Sequence, residues 1–286
     1  MTKLGYNTNG LAHHRFTDAV AILADHGFEA VAVTPDVAWL DPYQDAASLA
    51  RQVDETARTL EKFGMACVME SGARFLINPR KKHDPTLMDA DPVRRSLRTD
   101  YLQRLTRMAA DLNATCFSFW SGKLDVPIAQ AEADQRLADG IFEVLPLAES
   151  LRVPIAFEPE PGMHIATLDD FRRIDRLIFS GWFGLTIDLG HLHCLGETPI
   201  DAKIREWGTR ILNIHIEDMI PGVHEHLPFG QGTMEFPPIF RALDEIAYPF
   251  AVCVELSRDS HRADLAVGES AAFLRHAIDT ARSQQA

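Results

Sequence analysis

The sequence predicts a single-domain α/β protein, a (β/α)8 TIM barrel spanning residues 1–286. Three observations predict it: eight short runs apolar from end to end, stretches of helical periodicity between them, and no linker or low-complexity segment breaking the rhythm. Strands covered on both faces lose the in–out alternation of an exposed sheet. Continuous apolar runs therefore point to a parallel sheet wrapped in helices.

In chain order the strand candidates are KLGY (3–6), AVAV (30–33), ACVME (66–70), TCFSFW (115–120), PIAFE (154–158), GLTID (184–188), ILNIHI (211–216) and FAVCVE (250–255). The first helix, FTDAVAILADHG (16–27), is expected to be capped by threonine and to stop at Gly27. The second, 45–64, also ends on glycine; the third and fourth cover 99–113 and 128–151. The fifth is 167–177, and IDAKIREWG (200–208) supplies one short helix between the sixth and seventh strands. Helices at 236–247 and 266–281 complete the alternation. A doubly wound open sheet is the competing architecture, but it would normally carry a glycine-rich phosphate fingerprint after the first strand. GYNTNG (5–10) has its glycines wrongly spaced for one.

Hydrophobic residues make up 46% of the chain, enough for a large core. Lys plus Arg number 28 against 41 Asp plus Glu, a net charge of −13. That argues against nucleic acid as a partner, since phosphate-backbone binding needs basic surface. The most basic run, NPRKKHD (78–84), reads as a solvated loop. Cys67, Cys116, Cys194 and Cys253 are scattered without a C-x-x-C pair and read as reduced, which fits a cytoplasmic protein. No run is long enough to span a bilayer, so no membrane partner is expected. The oligomeric state stays open, a homo-oligomer included.

A barrel of this kind carries its chemistry at the C-terminal ends of its strands. The fifth run ends in Glu158, the sixth in Asp188 with His191 three residues on, the seventh carries His215, and the eighth ends in Glu255. Each acid alone could equally be a helix N-cap, and His215 alone a core histidine. Four such positions on four successive strands make a mixed oxygen/nitrogen donor set. It suits one divalent ion (Mn, Mg, Zn, Co or Fe), with no thiolate to select among them. Without a cation, the three carboxylates would repel one another.

Other residues are candidates for substrate contact. HEHLPFGQG (224–232) reads either as an exposed loop or as one folding over the site, with His226 reaching substrate and the role of His224 open. Trp120 could stack on a sugar face or simply line the rim. Glu160 and Glu70 lie at or near strand ends, and His13 and His14 follow the first strand. Arg258 could bind an anionic or hydroxylated substrate, with His261 beside it, or the two could cap the last helix. His193 reads as a loop or packing histidine.

IAFEPEPG, LTIDLGHLH, NIHIED, HLPFGQG and VCVELSRDSH, in this order, resemble the xylose isomerase-like TIM-barrel superfamily, and more closely its sugar phosphate isomerase/epimerase branch. The resemblance covers most of the chain and is most specific from residue 154 onward. It implies one divalent metal held by Glu158, Asp188, His215 and Glu255, with His191 as a substrate or metal contact. The superfamily also contains inosose dehydratases, 3-dehydroshikimate dehydratase-like lyases and endonuclease IV-like nucleases, so fold and metal do not fix the reaction. The nucleases hold three zinc ions, using an Asp-x-His pair before a Gly-x-Gly turn together with histidines of early strands. Here the pair is His224 and His226, and strands two to four offer no histidine, which points away from a trinuclear site.

The expected activity is metal-dependent isomerisation or epimerisation of a ketose or related polyol, phosphorylated or not. Glu158 and Glu255 act as acid and base next to a carbonyl, and His191 steadies the developing charge. With a leaving group β to the abstracted proton, the same residues would make a lyase. A third alternative is a barrel that binds a metabolite without converting it. No phosphate-binding glycine cluster follows the last two strands, which slightly favours a non-phosphorylated sugar.

Overall fold

The computed structural model describes residues 2–72 and 74–284, so the ends of the expected 1–286 domain and position 73 lie outside the described residues. Its elements follow the anticipated alternation. β1 (Lys3–Asn7), α1 (Phe16–Asp25), β2 (Ala30–Val33), α2 (Ala46–Phe63), β3 (Ala66–Glu70), α3 (Pro92–Asp111) and β4 (Phe117–Trp120) make the first half. α4 (Gln130–Leu151), β5 (Ile155–Glu158), α5 (Leu168–Ile178), β6 (Phe183–Asp188), α6 (Leu189–Leu195), α7 (Ile200–Trp207) and β7 (Ile211–Ile216) follow. The chain continues through β8 (Asp218–Ile220), β9 (Val223–Leu227), α8 (Phe236–Glu245), β10 (Ala251–Val254) and α9 (Ala263–Ser283). Eight strands close into a barrel in the order β1-β10-β7-β6-β5-β4-β3-β2, while β8 and β9 form a separate antiparallel pair. This is the predicted (β/α)8 fold.

Contacts cluster in two compact units. One comprises Met1–Val33, Thr59–Ala66 and Ile187–Ala286. Within it β1 pairs in parallel with β10 and with β2, and β10 with β7, Cys253 opposite His215. The other comprises Thr34–Arg58 and Cys67–Thr186. There β4 and β5 pair with Trp120 opposite Glu158, and β5 pairs with β6 with Phe157 opposite Leu185. β2, β4, β5 and β6 are buried at every position, as strands covered on both faces must be. The second unit packs an aromatic cluster in which Phe171 stacks on Phe157 and Phe183 at centroid distances of 6.3 and 5.7 Å.

The helix boundaries have local causes. α3 begins with Asp91 accepting from the Val93 N–H and a proline in its first turn. α5 carries a full capping box: Thr167 accepts from the Asp170 N–H while the Asp170 carboxylate accepts from the Thr167 N–H. α1 departs from expectation: its N-cap is Arg15, with no side-chain cap bond, and Thr17 lies inside the first turn. All four cysteines are free and buried. Among the described residues no helix is long and apolar enough to cross a membrane.

Two features were not expected. The segment after β6 is itself helical, so two short helices, not one, separate β6 from β7. The stretch after β7 is a hairpin rather than an open loop. Val223 to Leu227 fold back antiparallel on Asp218 to Ile220.

Candidate metal centre

β5, β6, β7 and β10 are successive neighbours in the sheet. Glu158 is the last residue of β5, Asp188 the last of β6, His215 the next to last of β7, and Glu255 directly follows β10. All four therefore sit at C-terminal strand ends. Glu158, Asp188 and His215 are buried.

Asp188 does two things at once. Oδ1 accepts the His191 N–H at 2.9 Å and so caps α6. Oδ2 is buried and has no hydrogen-bond partner among the described residues; it lies 3.5 Å from His191 Nε2 and 3.9 Å from His215 Nδ1. The two competing readings of this acid, cap or ligand, are both compatible with its geometry because the carboxylate has two oxygens.

Glu255 is clamped from two sides. His215 Nδ1 lies 3.1 Å from one carboxylate oxygen, and Asn9 Nδ2 donates to the other at 2.6 Å. Burial alone would raise its pKa, but the adjacent His215 and these hydrogen bonds hold it well below the usual carboxylate range. His215 Nε2 meets the Asn213 amide at 3.1 Å, which fixes the ring so that Nδ1 faces the acids. For Asp188 burial acts upward, and the histidines around it, His191 foremost, prevail and lower its pKa. Burial pushes His191 down to about 4, against the pull of Asp188, so its imidazole is neutral near pH 7.

One donor atom each from Asp188, His215 and Glu255 falls within 4.8 Å of the others, a carboxylate/histidine set able to hold a metal. The hairpin adds two further imidazoles. His224 Nε2 contacts His191 Nε2 at 3.0 Å, and His226 Nδ1 lies 3.7 Å from Glu217 Oε2. The hairpin stands where it does because Asp218 ties down the following turn. Its carboxylate accepts N–H bonds from Met219, Gly230 and Met234. Gly232 is required there, since a Cβ would fall 2.3 Å from Asp218 Oδ1.

The remaining candidates fall elsewhere. Trp120 ends β4, buried, with the Arg98 guanidinium 4.8 Å over its ring and His83 edge-on, so one of its faces is already covered. Glu160 lies in the turn after β5, its N–H bonded to the Ile165 carbonyl. Glu70 is buried at the end of β3, and His13 is exposed. Arg258 is exposed and ion-paired with Glu225 of β9, and His261 bonds the Arg258 carbonyl. His193 lies on α6 rather than in a loop, and its Nε2 meets Thr233 Oγ1 at 2.8 Å.

Asn9 and Glu217 carry no site role in the sequence reading. Asn9 reaches Glu255 across 246 residues of chain, and no spacing rule signals that. Glu217 was legible in principle: it stands two residues after His215, and a strand's period of two puts both on one face.

Residues 20–277 match the model of the xylose isomerase-like TIM barrel, and the chain belongs to that family. Among curated relatives it is 29% identical over 161 residues to the inosose dehydratase of Clostridium beijerinckii, 48% of this chain and 54% of that one. It thus spans about half the length of that relative. It is 21% identical to the L-ribulose-5-phosphate 3-epimerase UlaE of Escherichia coli, covering 76% of this chain and 82% of that one. Among solved structures, the IOLI protein with a bound zinc atom superposes with a TM-score of 0.75 at 16% identity, over 98% of this chain and 99% of that one.

Proposed function

We propose that the protein is a divalent-metal-dependent epimerase or isomerase of a small sugar or polyol. Glu158, Asp188, His215 and Glu255 would hold the ion. The donor chemistry fits one: Asp188 Oδ2 is a buried anionic oxygen without a hydrogen-bond partner, an arrangement that costs free energy until a cation meets it. When bound, the ion supplies Lewis-acid polarisation of a carbonyl and its neighbouring hydroxyl.

The observation that carries the reading is Glu255 directly after β10, its carboxylate oriented by His215 Nδ1 at 3.1 Å and the Asn9 amide at 2.6 Å, as a positioned general base requires. It takes the proton next to the substrate carbonyl, and Glu158 is the acid that returns one. Return to the same carbon gives epimerisation; return to the neighbouring carbon gives isomerisation. His191, neutral and buried, donates to the oxygen on which charge develops. His226 and Glu160 are proposed substrate contacts. Arg258 would need to leave Glu225 to become one. The relatives named above make L-ribulose 5-phosphate and an inosose the first compounds to try. Four free, buried cysteines suit a cytoplasmic setting.

The dehydratase among the relatives supports a second reading, in which the same proton abstraction is followed by loss of a β-hydroxyl as water. One experiment tests both. The manganese-loaded protein is incubated in D₂O with L-ribulose, its 5-phosphate or an inosose, and followed by NMR. Deuterium wash-in at the carbon next to the carbonyl is the expected result, while water loss would mark the lyase. Glu255→Gln should slow wash-in by about 10²–10⁴-fold. Normal turnover in a metal-loaded Glu255→Gln variant would overturn the assignment.

A further inference from the structure

Arg98, on α3, is 1% exposed, and among the described residues no carboxylate pairs with it. Its Nη1 has no hydrogen-bond partner, and its Nη2 makes one long bond, 3.4 Å to the Ser71 carbonyl. The hydroxyls of Ser71 and Tyr101 are likewise buried without a partner. The guanidinium lies 4.8 Å over the Trp120 ring and 5.2 Å over that of Tyr101. Ring faces offset part of the cost of burying the charge, but they leave its N–H donors without an acceptor. Asp36, Asp84 and Asp89, on the segments that follow β2 and β3, are engaged with other arginines: Asp36 with Arg74 at 2.7 Å, Asp89 with Arg94 at 2.7 Å, and Asp84 with Arg94.

This group adjoins the proposed reaction site. Trp120 and Glu158 are paired positions of β4 and β5, and paired positions point to the same face of a sheet. One strand and one indole thus separate the guanidinium from Glu158. His83 stands edge-on to the same indole at 5.4 Å. It belongs to the most basic run of the chain, 78–84, in which Arg80 and Lys82 are exposed. In a protein of net charge −13, such a run draws anions to this side.

We infer that Arg98 and Ser71 receive a carboxylate carried by the substrate, so that the sugar converted here is an acid, a keto-uronate or a similar polyol acid, rather than a neutral sugar. This deepens the proposed function and rests on it for the reacting carbonyl. A carboxylate matches the guanidinium fork with two parallel hydrogen bonds and has lone pairs left for the Ser71 hydroxyl. Its single negative charge balances the single buried positive one. A phosphate monoester carries about 1.5–2 negative charges near pH 7 and would leave the space net anionic.

The test compares one ketose with three endings: D-fructose with a hydroxymethyl, D-fructuronate with a carboxylate, and D-fructose 6-phosphate. Binding is measured by calorimetry with chelator and with Mn²⁺, and deuterium wash-in from D₂O is followed by NMR on the manganese-loaded protein. D-Fructuronate should bind about 10–10²-fold more tightly than the other two. Arg98→Met keeps the length of the buried stem and drops the charge, and should erase that preference. Ser71→Ala should weaken it about 2–10-fold, and carries the test if Arg98→Met does not fold. Equal binding of D-fructose and D-fructuronate, tightest binding of the phosphate, binding of none of the three, or a preference undiminished in either variant overturns the carboxylate site. Wash-in into D-fructose at the same time leaves the proposed activity standing. An Arg98-dependent preference for D-fructuronate without wash-in supports the site and overturns the activity.

Discussion

Asp188 offers the sharpest test, because one side chain is asked to cap a helix and to bind a metal through different oxygens. Oδ1 accepts the His191 N–H at 2.9 Å, and Oδ2 is left without a hydrogen bond. Asn caps a helix about as well as Asp, so Asp188→Asn should keep α6 intact. Its metal-free stability should lie within about 0.5 kcal/mol of the wild type. Asp188→Ala removes the cap and should cost about 1 kcal/mol. Metal separates the variants differently. At a free Mn²⁺ concentration 100 times Kd, the wild type gains about 2.7 kcal/mol. For a chain of this size that is a rise of about 4–5 °C in Tm. Asn presents an amide where the second anionic oxygen was, and both variants should lose most of that rise. The assay is a pair of thermal melts for each protein, with chelator and with Mn²⁺. A full manganese shift in Asp188→Asn would refute the ligand role. A metal-free Asp188→Asn as unstable as Asp188→Ala would refute the division of labour between the two oxygens.

Two further outcomes follow from the second unit. Asp170 is held below its usual pKa; burial acts upward, but the Arg173 hydrogen bond and the N–H groups of Ala166 and Thr167 prevail. A depressed carboxylate contributes stability above its unfolded pKa of about 3.9 and loses it as pH falls through the folded value. Urea melts between pH 3 and 7 should therefore show a stability loss at the acid end that is smaller in Asp170→Asn, while Thr167→Ala should cost about 1 kcal/mol at pH 7. An unchanged acid limb in Asp170→Asn would dismiss the capping box as a source of stability. Phe171 is fully buried between Phe157 and Phe183, so Phe171→Ala should cost about 3–5 kcal/mol by chemical denaturation. A loss under 1 kcal/mol would mean the cluster is not tightly packed.

The sequence by itself determined the fold and the placement of the four strand-end residues. Both depend on local pattern: a doubly covered strand must be apolar throughout, and in a closed parallel sheet every strand's C-terminal end faces the same way. The seam between β6 and α6 was only half legible. LTIDLGHLHC shows an acid after a buried strand, but whether that acid caps a helix or meets a cation depends on where each of its oxygens points. The hairpin at 218–227 was hidden for a related reason. VHEHL is too polar to look like a strand, and it pairs as one with help from a turn that Asp218 anchors through three backbone N–H groups.

Tertiary structure alone decided the partners. Asn9 finds Glu255 because β1 and β10 are paired, Tyr6 opposite Val254, although 246 residues separate the two side chains in sequence. The space occupied by the Glu217 carboxylate exists because Gly190, on another element, has no side chain to fill it. Composition and periodicity report how much apolar surface a segment must bury. They do not report which buried oxygen is left facing which nitrogen, and that pairing separates a packed acid from a metal ligand.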